Sequence, residues 1–197
     1  ANAAFAQDVT PDHRAPGRAV NVTFNACGTV REYALDAEPD AVRAPLRVLK
    51  ANLHLLTALA DLGGVWDLEQ VTDALSRFAD ASCRAALRAV AAEQRARGRL
   101  ISPPGDPRGP IPGLFGLALG KHGANELNYS SDIDISLFFE PRLMGLALRE
   151  GEEMQDFANR VGKGIAGLLS ERTADGYVFR VDLRLRPDPS STPPVVA

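Results

Sequence analysis

The stretch SPPGDPRGPIPG at residues 102–113 divides the chain into two parts with different hydrophobic patterns. Proline removes a backbone donor and glycine loosens the backbone, so a segment rich in both predicts a loop or linker. We therefore place a domain boundary here. The sequence predicts a poorly defined segment over residues 1–40, a helical region over 41–101 and a second domain over 112–197.

Before this boundary, apolar residues recur every three or four positions, which is the spacing of an amphipathic helix. One run includes Leu46 and Leu53 and stops at Gly63. The next begins after Asp67, a favourable N-cap residue, and ends near Gly98. Two such helices joined by a short turn predict an antiparallel pair.

After the boundary, short apolar runs replace the helical spacing. LFGLAL (114–119) predicts a buried strand, SDIDISLFF (131–139) a second strand and YVFRVDLRLR (177–186) a third. A Gly-rich turn follows the first strand, and a helix over 152–171 lies between the second and third. AVNVTF (19–24) predicts a further short strand. Mixed strands and helices of this kind indicate an α+β fold.

Three aspartates are candidate metal ligands. Side chains alternate along a strand, so Asp132 and Asp134 point to the same face while their isoleucine neighbours point to the other. Two adjacent carboxylates repel each other, and a cation between them removes the repulsion. Asp182, on the polar face of the third strand, is positioned to complete a three-carboxylate site. Oxygen ligands without His or Cys favour Mg²⁺ or Mn²⁺.

Cationic and small polar residues around these aspartates predict a phosphate or nucleotide site. Guanidinium groups bind phosphate oxygens as planar forks, and glycines let backbone N–H groups approach an anion. Together with the carboxylates, this chemistry is typical of phosphoryl or nucleotidyl transfer. The candidates are Gly120, Lys121, Ser130, Ser131, Arg180, Arg184 and Arg186.

Each of these features also has a simpler interpretation. An Asp-x-Asp pair is more often a solvated pair than a metal site, and Arg184 and Arg186 could form an exposed strand face with Asp182. Lys121 in a glycine-rich loop is usually a surface residue, and His122 is best interpreted as structural. The glycine segment is not a Walker P-loop, because His122 follows the lysine where that motif has Ser or Thr.

Composition excludes several classes of function. The net charge of -3 leaves no overall basic excess, so nucleic acid is not expected as a partner. No apolar run approaches the roughly 18 residues that suggest a membrane span, and no secretory signal is apparent. Cys27 and Cys83 lie far apart and fit free thiols in a reducing cytoplasm.

The segments 120–127, 131–134 and 181–187 together resemble the family of bacterial bifunctional glutamine-synthetase adenylyltransferase/adenylyl-removing enzymes. That family carries a Gly-Lys-x-Gly-x-x-Glu-Leu segment, a Ser-Asp-x-Asp strand and a Val-Asp-x-Arg-Leu-Arg-Pro strand, in this order. The resemblance covers residues 112–194 closely and extends to the helices from residue 41 to 98. It does not reach residues 1–40.

The resemblance implies a polymerase-beta-like nucleotidyltransferase domain, with a small mixed sheet flanked by helices and truncated at its C-terminal end. It implies a cytoplasmic, Mg²⁺-dependent enzyme with Asp132, Asp134 and Asp182 as catalytic metal ligands. One half of such enzymes removes AMP from a tyrosine of glutamine synthetase with orthophosphate, releasing ADP; the other attaches AMP from ATP. The P-II signalling protein is an implied regulatory partner of the complete enzyme.

The sequence of this chain resembles the adenylyl-removing half more than the other, because Phe179 and Arg180 stand where the adenylylating half has Tyr-Glu. Three alternatives remain open. The chain could come from the adenylylating half, or it could be a non-catalytic fragment that only docks glutamine synthetase. Haloacid-dehalogenase phosphatases and glycosyltransferases also carry Asp-x-Asp, although in those phosphatases the aspartates end the first strand. One departure from the family is Ala118-Leu119-Gly120-Lys121-His122-Gly123-Ala124, where the family often has Gly-Met-Gly-Lys-Leu-Gly-Gly.

Overall fold

The computed structural model describes residues 41–183 and 193–197 in full, and the backbone of residues 21–24, 30–33 and 39–40. The strands of this described part are β1 (Asn21–Phe24), β2 (Val30–Tyr33), β3 (Leu114–Leu119), β4 (Ile133–Phe139), β5 (Val181–Asp182) and β6 (Val195–Val196). Its helices are α1 (Pro39–Leu62), α2 (Leu68–Ala96), α3 (Gly120–Gly123), α4 (Pro141–Gly145) and α5 (Met154–Ser170).

The helix pair predicted from the apolar spacing is present. Asp67 caps α2 in a reciprocal arrangement, in which its Oδ1 accepts the Gln70 backbone N–H at 2.8 Å and the Gln70 Oε1 accepts the Asp67 N–H at 3.0 Å. This capping box satisfies two donors that the first turn of a helix leaves unpaired. Gly98 follows the C-terminal end of α2 with φ +65°, a conformation that glycine adopts without strain.

The sheet that carries the candidate site is small and mixed. Strand β4 pairs antiparallel with β3 on one side and parallel with β5 and β6 on the other. Helix α5 packs against β5 and β6 and also contacts α2. The predicted α+β class is confirmed.

The hydrophobic core joins the two parts of the chain. Phe78 of α2, Ile133 of β4 and Phe157 of α5 are all fully buried members of one apolar cluster. The loop between the two parts lies along α2, because Arg95 donates to the carbonyl oxygens of Ser102 and Pro110 at 2.8 and 2.7 Å. The sheet therefore keeps a defined position relative to α2.

Two details of the predicted strands were wrong. LFGLAL forms β3, but Phe115 and Leu117 are 51% and 50% exposed because β3 lies at the edge of the sheet. The predicted strand over 177–186 is reduced to Val181–Asp182 within the described residues. Val178 and Phe179 are both buried, which strict alternation forbids.

The reason for the short third strand is a shared acceptor. The backbone N–H groups of Val178 and Phe179 both donate to the carbonyl oxygen of Leu169, each at 3.0 Å. This contact ties the chain to the end of α5, so the strand begins only at Val181. The short elements β2, α4 and β6 were not predicted. None of the helices in the described ranges is both long and apolar enough to cross a membrane.

Candidate active site

Two of the three predicted carboxylates lie on neighbouring strands at the same level. Strand β4 buries Ile133 and Ile135 on one face, and Asp134, between them, is partly exposed on the other. The parallel register pairs Asp134 with Asp182 of β5. Paired residues of adjacent strands project to the same face of a sheet, so these two side chains share one surface.

The glycine-rich turn lies directly against this surface. Leu119, the last residue of β3, pairs with Asp134, and the single helical turn α3 begins at the next residue, Gly120. Gly120 has φ +55°, and a Cβ atom placed there would lie 2.6 Å from Oδ2 of Asp134. A side chain at this position would strain the backbone and displace the carboxylate. Lys121 is exposed on the same turn.

Asp132, the third predicted metal ligand, forms an ion pair with Arg180, which the sequence predicts to bind phosphate. The Nε–H of Arg180 donates to Oδ1 of Asp132, and both side chains are half exposed. The two other guanidinium nitrogens of Arg180 donate to the Tyr177 hydroxyl and the Ser130 carbonyl oxygen, each at 2.8 Å. The hydrogen bond to Asp132, followed by the charge of Tyr177, raises the pKa of Arg180. Arg180 thus fixes the segment that leads into β4.

Ser130 and Ser131 form a tight turn organised by Asn128. The Asn128 Oδ1 accepts the backbone N–H of Ser130 at 3.1 Å and the hydroxyl of Ser131 at 2.9 Å. Asn128 thus acts as a turn residue, a role for which asparagine is favoured. The turn places both serines immediately before Asp132, on the exposed side of the site.

His122 has the structural role that the sequence favoured. It is 3% exposed, and its Nε2 lies 2.9 Å from Oδ1 of Asp80 on α2. The hydrogen bond to His122 lowers the pKa of Asp80, against the opposing effect of burial. The glycine turn is therefore attached to a helix outside the sheet.

The donor chemistry fits a magnesium ion, although the three carboxylates do not converge on one point. No group of three or more Asp, Glu, His or Cys side chains is arranged for a metal ion in the part of the chain that the structure describes. Asp134 and Asp182 are adjacent, whereas Asp132 contacts Arg180. Mg²⁺ commonly binds through one or two carboxylates and completes its shell with water and phosphate oxygens. Arg184 and Arg186 lie outside the described residues.

Sequence reasoning missed Lys50 and His54, which α1 places beside the predicted site. Lys50 contacts Tyr177, and the ring of His54 meets that of Tyr129 edge-on at 5.8 Å between centroids. The available signal was a pair of polar residues four positions apart, within a helix otherwise rich in leucine. Asp80 was also missed, because nothing in the sequence around it indicates a contact with His122.

Comparison with known proteins identifies the family. The family model described as glutamate-ammonia ligase adenylyltransferase matches residues 18–197. The chain belongs to this family. The membership that the three motifs predicted is therefore confirmed, and the glutamate-ammonia ligase adenylyltransferase family is an enzyme family.

Curated relatives within the glutamate-ammonia ligase adenylyltransferase family carry the name bifunctional glutamine synthetase adenylyltransferase/adenylyl-removing enzyme. The chain is 58% identical over 165 residues to the protein of Caulobacter vibrioides, covering 83% of the chain and 16% of the relative. It is 51% identical to that of a Bradyrhizobium species, covering 81% of the chain and 16% of the relative. It is 51% identical to the protein of Rhodopseudomonas palustris, covering 78% of the chain and 15% of the relative. The chain thus spans about one sixth of each relative's length.

Proposed function

We propose that this site, in a longer protein that carries the chain, removes AMP from an adenylylated tyrosine of glutamine synthetase. The reaction uses orthophosphate, releases ADP and depends on Mg²⁺. The observation that carries the proposal is the pairing of Asp134 with Asp182 beside the turn at Gly120. The names of the relatives, which include an adenylyl-removing activity, support it.

The proposed reaction exchanges one phosphorus–oxygen bond for another. An oxygen of orthophosphate attacks the phosphorus of the tyrosine-bound AMP, and the bond from that phosphorus to the tyrosine oxygen breaks. The products are ADP and a tyrosinate, which takes a proton from solvent. Such a transfer depends on positioning and charge stabilisation, so no protein nucleophile is required.

The carboxylates would hold the metal, and the cationic side would hold the phosphate groups. Asp134 and Asp182, with Asp132, would bind Mg²⁺, which neutralises charge on the phosphate oxygens when bound. Lys121 and the backbone at Gly120 approach the same surface from β3. Ser130, Ser131 and Arg180, together with Arg184 and Arg186, complete the proposed set of phosphate ligands.

Arg180 favours removal of AMP over its attachment. The adenylylating half of the family has a glutamate at this position, and a guanidinium there adds positive charge next to Asp132. Free orthophosphate carries close to two negative charges near neutral pH, so a cation at this point favours its binding. The same carboxylates would serve adenylylation, so Arg180 supports only the direction of transfer.

The test measures ADP release from adenylylated glutamine synthetase by the longer protein, with orthophosphate and Mg²⁺. We expect Asp134→Asn and Asp182→Asn each to lower the rate by about 10²–10³-fold, the usual effect of losing a group that stabilises transition-state charge. Asp73→Asn is the matched control, because Asp73 is partly exposed on α2 and pairs with Arg77 there. Full activity of Asp134→Asn would refute the metal role.

A parallel assay supplies ATP in place of orthophosphate. Transfer of AMP from ATP to unmodified glutamine synthetase, without phosphate-dependent removal, would assign the chain to the adenylylating half. Binding of glutamine synthetase without either transfer would identify a docking module. Removal of AMP with phosphate alone supports the proposal.

A further inference from the structure

Lys50, on α1, has no carboxylate partner among the described residues. Its neighbours on the helix bind Glu171: Arg43 contacts the carboxylate at 3.1 Å, and Arg47 donates to the backbone carbonyl at 3.0 Å. Lys50 instead donates to the carbonyl oxygen of Tyr177 at 3.3 Å. Burial, and then the charge of Arg180, lower the pKa of Lys50.

Lys50 and Arg180 share one aromatic ring. The Nζ of Lys50 lies 4.5 Å from the centroid of the Tyr177 ring, and the Cζ of Arg180 lies 5.8 Å from it. The ring of Phe179 lies 5.4 Å from the same lysine nitrogen. Aromatic faces attract cations weakly, so the ring does not cancel the repulsion between two of them. An anion that contacts both Lys50 and Arg180 would offset that repulsion.

The guanidinium of Arg180 has donors left for such an anion. Its hydrogen bonds to Asp132, Ser130 and Tyr177 use three of the five N–H groups that an arginine carries. Two remain beyond these bonds when only the described residues are considered. A tetrahedral phosphate has enough oxygens to accept from these groups and from an ammonium at the same time.

His54 adds a neutral donor one turn further along α1. Burial, and then the charge of Lys50, lower the pKa of His54 to about 4, so the imidazole is uncharged near neutral pH. None of the hydrogen bonds found within residues 41–183 uses its ring nitrogens. Lys50 thus presents a donor to Tyr177, and His54 lies beside Tyr129, whose hydroxyl donates to the Asp61 carboxylate further along α1.

We propose that Lys50 and Arg180 form a subsite for a phosphate dianion between α1 and the Tyr177–Arg180 segment. Lys50 then belongs to the phosphate-binding residues although it lies more than 60 positions before the glycine turn. Two sources share this chemistry: free orthophosphate, and the terminal phosphate of a nucleotide. Assigning the subsite to the attacking orthophosphate rests on the proposed function; the binding of the anion does not.

The test titrates the 197-residue chain with sodium orthophosphate, without Mg²⁺, by calorimetry. Lys50→Met should weaken binding about tenfold, the loss expected for one charge-assisted hydrogen bond. Lys50→Arg keeps the charge and should retain most of the affinity. Lys163→Met, an exposed lysine on α5, is the matched control and should bind as the unaltered chain does. Melting temperatures of all four chains show whether each remains folded.

Equal affinities of Lys50→Met and the unaltered chain, or no saturable binding by the unaltered chain, would overturn the proposal. A lysine that only packs on Tyr177 would lower the melting temperature of Lys50→Met and leave the phosphate affinity unchanged. A second titration with ADP separates the two sources: tighter binding of ADP that also depends on Lys50 assigns the subsite to a nucleotide phosphate. Because no AMP transfer is measured, failure of the proposed function leaves this result intact.

Discussion

Gly120 lies so close to Asp134 that a side chain at position 120 would meet the carboxylate. A Cβ atom at position 120 would lie 2.6 Å from Oδ2 of Asp134, and the backbone there has φ +55°. We expect Gly120→Ala to destabilise the chain by about 1–3 kcal/mol, the usual cost of a non-glycine residue in a strained conformation. It should also weaken Mg²⁺ binding, because Asp134 must move. Urea unfolding and metal titration measure the two effects.

Gly167→Ala is the matched control for this substitution. Gly167 lies within α5, and a Cβ atom there would meet no atom within 4 Å. Alanine at an open helical position should stabilise the chain by about 0.5–1 kcal/mol. If both alanine substitutions changed the free energy of unfolding in the same direction, the close contact at Gly120 would not explain the effect of Gly120→Ala.

Arg180 should affect the binding of cations and anions in opposite directions. Its guanidinium is bonded to Asp132, so Arg180→Met removes a positive charge from the carboxylate side of the site. We expect Mg²⁺ to bind several-fold more tightly to this variant and orthophosphate several-fold more weakly. Stability should fall only slightly, since the ion pair is half exposed. Separate calorimetric titrations with each ion measure the changes, and weaker binding of both would contradict the assigned roles.

The contact between Asp80 and His122 should contribute more to stability than an ion pair on the same helix. His122 is buried, so loss of the acceptor leaves an imidazole nitrogen without its partner. We expect Asp80→Ala, which removes the acceptor, to lower the free energy of unfolding by about 1 kcal/mol, a value reduced because Asp80 is partly exposed. Asp73→Ala, which removes the exposed pair with Arg77, should cost about 0.3–0.5 kcal/mol at most. Chemical denaturation of both variants provides the comparison.

His54 should make the chain less stable in mild acid. Its pKa is lowered from 6.5 to about 4 in the folded chain by burial and by Lys50, so between these values the unfolded chain binds a proton that the folded chain does not. Stability should therefore rise with pH from about 4 to 6.5. In His54→Gln this rise should be shallower. Identical pH profiles for the two chains would show that His54 titrates normally, and NMR titration of its ring protons tests the pKa directly.

The long helices and the central strand could be predicted because each follows from local sequence. The Asp67–Gln70 capping box and the apolar spacing of α2 lie within a single stretch, and β4 alternates cleanly around Asp134. The segment at Val178 and Phe179 could not be predicted. Its backbone donors bind Leu169, at the end of α5, and no local pattern indicates that acceptor.

The candidate carboxylates were found from the sequence, whereas their surroundings were not. Strand periodicity places Asp134 and Asp182 on polar faces, and the parallel register of β4 and β5 then puts them side by side. The contact from His122 to Asp80 joins residues 42 positions apart, and that from Lys50 to Tyr177 joins residues 127 apart. Pairings across such distances depend on how helices dock on the sheet, which single-segment patterns do not encode.

The contact between His122 and Asp80 attaches the glycine turn to α2. With 29 residues, α2 extends about 43 Å at the usual rise of 1.5 Å per residue, and Asp80 lies near its midpoint. The turn that carries Gly120 and Lys121 is therefore positioned by a long helix as well as by the sheet. One buried imidazole makes that connection, so the geometry of the phosphate-binding turn depends on residues outside the carboxylate surface.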